Sequence, residues 1–590
     1  MLHHLIEYAQ RHGITAEPGF SPKDVRWAIV CDASGRFTEV IPLGEGKRGR
    51  PFSRCPDLTQ PELVGGDQPR SHFLVETAEV VALHRKDDAD KATLKKAEQK
   101  HTFFVEMLRS ASDVMPELDL AARMLGDPEQ LTHIRDHLNA RKAKSTDKVT
   151  IYVRDGFPVE SEAWHDWWRR FRVKLGDSPQ KRAKVETKSS PQGQMICFLT
   201  GESVVPAKTH EKIRGLAGVG GLAAGDALVC FDKDSFTSYG LKQSANAAIS
   251  EAAAKGYREA LNALIRDHQK KLPSAMLVHW FKERVPETDD PVSWLVEPPE
   301  QEERSAQQAA RELLNAIEAG RRPGLSANRY LAVTLSGAAG RVMIRSWMEG
   351  PFQELITNVS AWFEDLEIVH REGHGPAFTP KFLAVVGALA RELDEVPPSA
   401  APSLLHAALG GRGRAIPSTL LAQATRRASL DFVTGQSPNH ARMGLIKAFH
   451  IRNPKGGVPM SPYLNEDHPN PAYHCGRLLA VLAGLQRSAL GDVGAGVVQR
   501  YYTATSQAPA LMIGRLVANA KNHLNKLEPG LIWWYENEIA AVMGHIGERL
   551  PRTLDLEGQS LFALGYYQQL AHSRAGKRGD NAKKKEESNV

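Results

Sequence analysis

The sequence predicts an α+β fold, with a mixed N-terminal and middle region followed by helical regions and a C-terminal helical bundle. Three observations support this prediction. Short β-like runs separated by turn residues lie near the N-terminus, alanine-rich segments with helical spacing dominate from residue 300 onward, and a proline-rich break precedes a last helical region. With 590 residues, the chain has room for about four domains by the usual length prior.

The N-terminal region is predicted to combine a short helix with a β-hairpin. Residues 2–10 have the apolar spacing of an amphipathic helix, and a turn containing proline and glycine follows. The β-like runs 25–30 and 37–43 lie on either side of a polar turn, which is the arrangement of a hairpin. Residues 91–108 again have helical spacing, and their apolar side is predicted to pack in a core.

Two basic segments of this region each have a functional and a structural interpretation. The loop 44–56 can contact phosphate or only solvent. The segment 169–188 holds eight basic residues and two acidic ones, directly after three tryptophans. Such a segment suits backbone contact combined with base stacking, but the tryptophans fit a core equally well. The residues concerned are Lys47, Arg48, Arg50 and Arg54 in the loop, and Trp164, Trp167 and Trp168 before the basic segment.

The second half of the chain is divided by residues 453–471, which contain five prolines and a glycine pair. No regular element of any length fits this composition, so the segment is predicted to be a linker. The tail beyond residue 571 is basic and poor in apolar residues, which predicts disorder. The predicted organisation is an α+β nucleic-acid-contacting region 1–300, a helix-rich region 301–452, a linker 453–471, a C-terminal helical bundle 472–571 and a disordered basic tail 572–590.

Residues 512–527 form the best-defined predicted helix of the last region. One side is apolar at i, i+3, i+4 and i+7 spacing, and the other carries Arg515, Asn519, Asn522 and Lys526. Such a polar stripe is usually a solvated surface. A helical bundle with a cation-bearing face is also what a sequence-independent groove for a single strand requires.

Composition limits the function classes. The sequence contains no His-Glu-x-x-His, Gly-x-Ser-x-Gly or Gly-x-x-x-x-Gly-Lys-Ser/Thr motif. His165-Asp166 is an isolated pair without the further ligands that a metal-dependent phosphohydrolase needs. We therefore predict a protein without catalytic residues, metal or cofactor.

Charge and hydropathy favour a cytoplasmic protein with a clustered, rather than global, basic character. Lysine and arginine exceed aspartate and glutamate by only 75 to 69, a formal charge of +6. No apolar run approaches the roughly 20 residues of a membrane-spanning helix, and no signal-peptide pattern opens the sequence. The five cysteines are scattered without Cys-x-x-Cys spacing, which predicts buried thiols in a reducing compartment.

The glycine-rich stretch 215–225 formally contains a dinucleotide-binding fingerprint at 218–223. That fingerprint needs a strand before it and a helix that opens within it, whereas a polar segment precedes it here and a strand-like run, 227–231, follows. A glycine loop whose backbone closely approaches a partner is the better functional interpretation. The structural interpretation is that the glycine stretch is a loop without a binding role.

The middle of the chain resembles the large subunit of the type I-C CRISPR Cascade interference complex, of the Csd family. The resemblance continues into the N-terminal and C-terminal parts, and these runs are long and ordered enough to be specific. The similar runs are 18–27, 197–202, 210–215 with the glycine stretch, 231–247, 257–262, 465–478 and 561–567.

This resemblance implies a non-catalytic subunit of an RNA-guided surveillance complex. Large subunits of this family recognise the protospacer-adjacent motif in duplex DNA, promote R-loop formation, hold the non-target strand and recruit the helicase-nuclease. The implied partners are the CRISPR guide RNA, target double-stranded DNA, the Cascade backbone and small subunits, and the helicase-nuclease. Base pairing would read the target, and the protein would read only the short duplex motif.

Motif reading requires hydrogen-bond donors and acceptors on a positioned element. We therefore expect the polar residues beside the glycine loop to contact the DNA motif, and cations of the C-terminal helix to attract the non-target strand. The motif-binding candidates are Lys208, His210, Lys212, Arg214, Gly218, Gly220, Ser238, Tyr239, Lys242, Gln243 and Asn246, and the strand candidates are Arg515, Lys521 and Lys526.

The resemblance also implies that the C-terminal region is made separately as the small subunit, from an internal start. Met460 lies in the proline-rich linker and is the favoured start, with Met443 and Met512 as rivals. Two other functions stay open: an enzyme of unrecognised type such as a nuclease, and a structural scaffold subunit that does not read DNA directly.

Overall fold

The computed structural model describes residues 1–14, 17–44, 49–64, 68–85, 91–176, 193–296, 305–319, 321–453, 460–494 and 496–587. The chain forms two compact units. The first contains Met1–Asp267 and Gly337–Val342, and the second contains His268–Ser336 and Met343–Val590. The predicted α+β class is confirmed.

In its described residues, the first unit combines helices with three small sheets. Its helices are α1 (Leu2–Arg11), α2 (Gln60–Leu63), α3 (Ala78–Ala82), α4 (Lys91–Ala111), α5 (Glu117–Gly126), α6 (Pro128–Ala140), α7 (His165–Gly176) and α8 (Glu251–Asp267). Its strands are β1 (Phe20–Val25), β2 (Trp27–Cys31), β3 (Phe37–Pro42), β4 (Arg50–Pro56), β5 (Glu76–Thr77), β6 (Lys148–Val153), β7 (Met195–Ile196) and β8 (Ser203–Val204).

The predicted N-terminal helix and hairpin are both present. Helix α1 covers the predicted residues, and β2 pairs antiparallel with β3, with Ile29 opposite Val40. The turn between the strands is closed by the Asp32 carboxylate, which accepts hydrogen bonds from the backbone N–H groups of Ser34 and Arg36. This hairpin is half of a four-stranded sheet of order β3-β2-β6-β5, in which β2 also pairs in parallel with β6.

The tryptophans before the basic segment are mainly core residues. Trp164 and Trp168 are completely buried, and Trp167 packs against the same core. Each buried indole N–H finds a backbone acceptor, with Trp168 Nε1 donating to the Gly19 carbonyl over 2.7 Å. Large aromatic rings stabilise a core by their buried area, provided that the polar edge is satisfied in this way. Of the two interpretations left open by the sequence, the structural one holds for Trp164 and Trp168.

The second unit packs a four-stranded sheet of order β12-β11-β10-β9 against helices. Residues 337–342, where β11 turns into β12, belong to the first unit. The strands of this four-stranded sheet are β9 (Gln269–Leu272), β10 (Ala275–Phe281), β11 (Arg329–Ala338) and β12 (Arg341–Pro351). Its helices are α9 (Pro291–Val296), α10 (Ser305–Glu318), α11 (Pro323–Ser326), α12 (Phe352–Leu366), α13 (Phe382–Gly387), α14 (Ala400–Leu409), α15 (Ser418–Thr434), α16 (His440–Arg452), α17 (Pro471–Leu490), α18 (Val497–Gln507), α19 (Pro509–Leu524), α20 (Pro529–Ile546) and α21 (Leu556–Glu587).

One apolar core runs through this whole unit, from Leu272 to Ala571. Helices α17 and α21 pack with their backbones in direct contact, since a Cβ atom on Gly476 would lie 2.0 Å from the Phe562 carbonyl oxygen. Such backbone contact is open only to glycine. The helix-rich region and the C-terminal bundle, predicted as separate regions, therefore share one core, because α16 and α21 pack on each other across the predicted boundary.

The predicted break in the second half lies between α16, which ends at Arg452, and α17, which begins at Pro471. Residues 454–459 lie outside the described residues, and 460–470 hold no helix or strand. The Asn470 side chain caps α17 by accepting a hydrogen bond from the backbone N–H of Ala472. Helix α21 continues to Glu587, into the tail for which composition predicted disorder.

The predicted helix 512–527 corresponds to α19, which begins and ends three residues earlier. Its apolar face is buried as expected, at Ile513, Leu516, Ala520 and Leu524. None of the helices in the described ranges is both long and apolar enough to cross a membrane.

Candidate nucleic-acid interface

The glycine-rich stretch forms a closed loop between Ile213 and Asp226. The backbones of these two residues exchange hydrogen bonds of 2.8 Å in both directions. Inside the loop, the Asp226 carboxylate accepts the backbone N–H of Leu222 at 3.1 Å and 3.2 Å. The loop contains a short 3₁₀ turn at Ala217–Val219, and the next α-helix of the described chain is α8. No α-helix of the described chain therefore opens within this loop, where a dinucleotide-binding fingerprint would place one.

The close approach expected of this loop occurs, but the partner is another segment of the same chain. A Cβ atom on Gly337, near the end of β11, would lie 2.1 Å from the Cα atom of Gly221. Ala227 donates its backbone N–H to the Gly340 carbonyl in the turn after β11, and its own carbonyl accepts the backbone N–H of Val342 in β12. Gly220 is explained by this packing, because its Cβ would lie 2.9 Å from the Gly337 carbonyl oxygen. Gly218 is exposed and would meet nothing within 4 Å.

The segment 208–215 before the loop, called here the reader segment, is held along α8. The Tyr257 hydroxyl and Nδ1 of His210 are 2.7 Å apart. Arg258 forms an ion pair with Glu211. The Asn262 side chain accepts the backbone N–H of Arg214 over 2.9 Å. Gly215, at a φ of 94°, packs against Ile265.

These contacts decide which side chains of the reader segment face solvent. Lys208, Lys212 and Arg214 are exposed, whereas His210 is buried and 9% exposed. Burial lowers the pKa of His210 to about 4, because desolvation disfavours the imidazolium. His210 is therefore neutral and positions the segment, whereas the side chains of its neighbours Lys208, Lys212 and Arg214 face solvent.

Charged side chains with little solvent exposure lie where the reader segment contacts α8. Burial raises the pKa of Glu211 and lowers the pKa of Lys255, since the protein interior disfavours both charged forms. Arg258 and Glu259 are buried beside them and form an ion pair. Sequence patterning did not reveal this cluster, because Glu211 lies more than forty positions before the three residues of α8 and the four match no motif.

The second group of motif candidates lies in short 3₁₀ turns between residues 238 and 247. Tyr239 is fully exposed, with a left-handed backbone at a φ of 57°. Lys242 and Gln243 are exposed as well. The Asn246 amide donates to the carbonyl of Gln243 over 2.9 Å, so its role in the fold is to close the turn.

This group adjoins the reader segment, because the backbone N–H of Ser244 donates to the Lys208 carbonyl over 3.3 Å. Exposed cations, a phenol ring and an amide thus lie on two neighbouring segments of the first unit. The side chain of Ser238 lies outside the described residues.

Several basic residues of the loop 44–56 and of the segment 169–188 form ion pairs. Arg50 and Arg54 pair with Glu160 and Glu17, and Arg172 pairs with both Glu62 and Glu251. These side chains are accounted for by the fold. Lys47, Arg48 and residues 177–188 lie outside the described residues.

The three residues predicted from the sequence to attract the non-target DNA strand all face solvent. Arg515 and Lys521 are exposed on α19, and Lys526 is exposed in the turn that follows. Across the described ranges, no cluster of three or more histidine, cysteine, aspartate or glutamate side chains could hold a metal ion.

The structure thus defines a large α+β protein that offers exposed cations on a well-held loop and on a C-terminal helix. Residues 2–573 match the family model described as CRISPR-associated protein (Cas_Csd1). The chain belongs to this family, as the resemblance predicted, and is a CRISPR-associated Cascade subunit. A search of curated proteins finds no match.

Proposed function

We propose that this protein is the non-catalytic large subunit of a type I-C CRISPR RNA-guided surveillance complex in the cytoplasm, and that it recognises the protospacer-adjacent motif in duplex DNA. Its partners are the guide RNA, target double-stranded DNA, the Cascade backbone and small subunits, and the helicase-nuclease that it recruits. Recognition of a short motif followed by guide pairing is a division of labour known from RNA-guided complexes. The family supports membership of the complex, and the exposed reader segment supports the motif-reading role.

The observation that carries the proposal is the presentation of Lys212 and Arg214. Both side chains are exposed, while the backbone between them is fixed by the pairing of Ile213 with Asp226 and by Asn262. Donors on a rigid backbone can select base edges, whereas donors on a mobile loop mainly attract phosphate. Lys208, Tyr239, Lys242 and Gln243 complete the same surface, and His210 and Asn246 position it.

The second unit would hold the non-target strand during R-loop formation. Arg515, Lys521 and Lys526 are exposed along α19 and its following turn. Contacts of this kind attract phosphates without reading sequence, so their contributions fall as salt rises.

The test compares duplexes that share a target but differ in the flanking motif, bound by the reconstituted guide-RNA complex. The variant is Lys212→Ala with Arg214→Ala. The matched control is Lys95→Ala with Lys96→Ala, because these lysines are exposed on α4 of the same unit. Loss of one good base contact costs about 1–3 kcal/mol of discrimination, so motif preference should fall at least about fivefold in the variant and stay unchanged in the control.

The opposite outcome favours the scaffold function. If complexes that lack the subunit assemble poorly, but motif preference is the same with the variant as with the unaltered subunit, the protein joins subunits without reading DNA. Motif preference that depends on the subunit but not on these two residues would move the reading site elsewhere.

A further inference from the structure

A partly open cavity of about 260 Å³ lies among α17, α18 and α19. Its lining is apolar at Leu482, Val497, Leu516 and Ala520 and polar at its other residues. The volume lies below the roughly 300–1,000 Å³ of sites for drug-sized ligands, which suits one small planar group. The polar lining residues are Gln486, Arg500, Tyr501, Asn519, Asn522 and His523.

Three polar side chains that line this cavity have hydrogen-bonding groups without a partner in the described part of the chain. Nδ1 of His523 is buried without a hydrogen-bond partner among the described residues. A buried polar atom without a partner is rare and asks for an explanation such as a ligand. The side-chain amides of Asn519 and Asn522 are exposed and make no hydrogen bond within the described part of the chain, so they are open to a ligand.

Charge around the cavity favours a polyanion. The stretch 493–527 contains no aspartate or glutamate and four lysine or arginine residues. Arg500 lines the cavity itself, and Lys521 is exposed beside Asn522 on α19. The next helix, α20, has the opposite character, with glutamates at 536 and 538 and no lysine or arginine. Basic residues without acidic neighbours are therefore found on α18 and α19, two of the three helices that line the cavity, and in the turn that follows α19.

The lining chemistry matches a nucleobase. Tyr501 provides an aromatic ring, and base stacking on such rings binds single strands with little sequence preference. Asn519 and Asn522 each offer a donor and an acceptor, which is what the polar edge of a base requires. An acidic peptide could pair with the cations and the amides, but it would offer the tyrosine ring a stacking partner only where it carries an aromatic side chain.

We infer that this cavity receives one base of a DNA single strand, with Tyr501 as the stacking ring, Asn519 and Asn522 as partners of the base edge, and Arg500 and Lys521 on flanking phosphates. This inference rests on the proposed function, because it names a base site within the surface assigned to the non-target strand. It adds a contact to the base where only phosphate attraction was proposed.

The test uses the full-length chain and two fluorescent DNA single strands of equal length, one with bases and one abasic. Both have the same phosphates, so only a base site distinguishes them. We expect the unaltered protein to bind the base-bearing strand about tenfold more tightly, which is the usual scale of one stacked base. Asn519→Ala with Asn522→Ala should remove most of this preference and keep the salt-dependent binding of the abasic strand.

Asn525→Ala is the matched control, because Asn525 is an exposed amide just past the end of α19 and does not line the cavity. A strand with 2-aminopurine at one position gives a second measurement on the unaltered protein, in which stacking on Tyr501 quenches the fluorescence. It keeps the test valid if the double variant does not fold.

The possible results distinguish failure of the base site from failure of the proposed binding of the non-target strand. Equal affinity for both strands, with salt-dependent binding and no quenching, overturns the base site and leaves the proposed strand binding intact. No binding of either strand overturns both. A preference that Asn525→Ala removes as fully as the cavity variant does also overturns the base site.

Discussion

Tyr257→Phe tests whether the reader segment must be held rigidly to distinguish DNA motifs. The substitution keeps the buried ring and removes the hydroxyl that is 2.7 Å from Nδ1 of His210. Nε2 of His210 already has no hydrogen-bond partner among the described residues. The variant therefore leaves both ring nitrogens of a buried histidine unpaired.

The expected cost follows from this geometry. A buried polar atom that loses its partner costs about 1–3 kcal/mol, which corresponds to a change of about 5- to 150-fold in the equilibrium between the held and released segment. The change should appear at the Ile213 and Arg214 amides, whose acceptors are the Asp226 carbonyl and the Asn262 side chain. Because these bonds close the reader segment, its release exposes them to solvent.

Two measurements are needed on the same protein. Hydrogen exchange should show protection at Ile213 and Arg214 falling by about 5- to 150-fold, the scale set by the lost partner. Binding by the reconstituted complex should show a loss of motif preference, with affinity for duplexes without the motif unchanged. A merely structural role would lower both affinities together. Asn139→Ala is a control, because Asn139 is exposed on α6 of the same unit.

Two results would refute the reasoning. If protection falls while motif preference is intact, the reader segment does not read the motif. If motif preference is lost while protection is intact, Tyr257 acts in another way than by holding the segment.

The remaining predictions concern packing, pH and translation. Gly337→Ala should destabilise the protein by about 2 kcal/mol or more, because its Cβ would lie 2.1 Å from the Gly221 Cα atom; thermal unfolding should show this, and Gly218→Ala, which meets nothing within 4 Å, should be tolerated. Stability should fall as pH is lowered from about 6.5, because burial lowers the pKa of His210 and His474 to about 4 in the folded state and the unfolded chain binds more protons in that window. Urea unfolding on both sides of this window checks it, and a flat profile would contradict it. Met460→Leu should abolish a separate C-terminal product while keeping the full-length chain; a product of unchanged size on an immunoblot would point to Met443, Met512 or a non-methionine start.

The loss of folding stability at low pH can be assigned to individual histidines. For a histidine with a depressed pKa, the stabilising contribution is complete above the unfolded pKa and is lost as pH falls toward the folded pKa. His474 is completely buried, with Nε2 next to the His468 carbonyl. The substitution His474→Gln should therefore make the free energy of unfolding less dependent on pH between about 6.5 and 4.

The internal-start hypothesis has a structural consequence. The Tyr567 hydroxyl donates to the Val369 carbonyl, and Ser560 bonds His450. A separate product from Met460 onward lacks both of these partners and the apolar core between Leu272 and Phe449. We expect such a product to be stable only when another subunit covers the same helical faces.

Sequence patterning alone determined the fold class, the N-terminal helix and hairpin, the core position of helix α4, the C-terminal helix α19 and the family. All of these depend on local periodicity, turn residues or long matching runs, which are properties of neighbouring residues in the chain. The same patterning placed Lys212 and Arg214 beside a glycine loop. It could not separate them from His210, because exposure alternates according to contacts with α8, whose residues are more than forty positions away.

Only the tertiary structure decided the remaining features. Trp168 became a core residue because the Gly19 carbonyl, 149 positions earlier in the chain, accepts its indole N–H, whereas Trp164 finds its acceptor nearby at the Pro158 carbonyl. The glycine loop meets Gly337, and α17 meets α21 at Gly476, because backbones of distant segments come into direct contact there. The cavity beside Tyr501 exists only where three helices meet. Local sequence carries no record of such long-range contacts, since the physical constraint at each position is the neighbour in space rather than the neighbour in the chain.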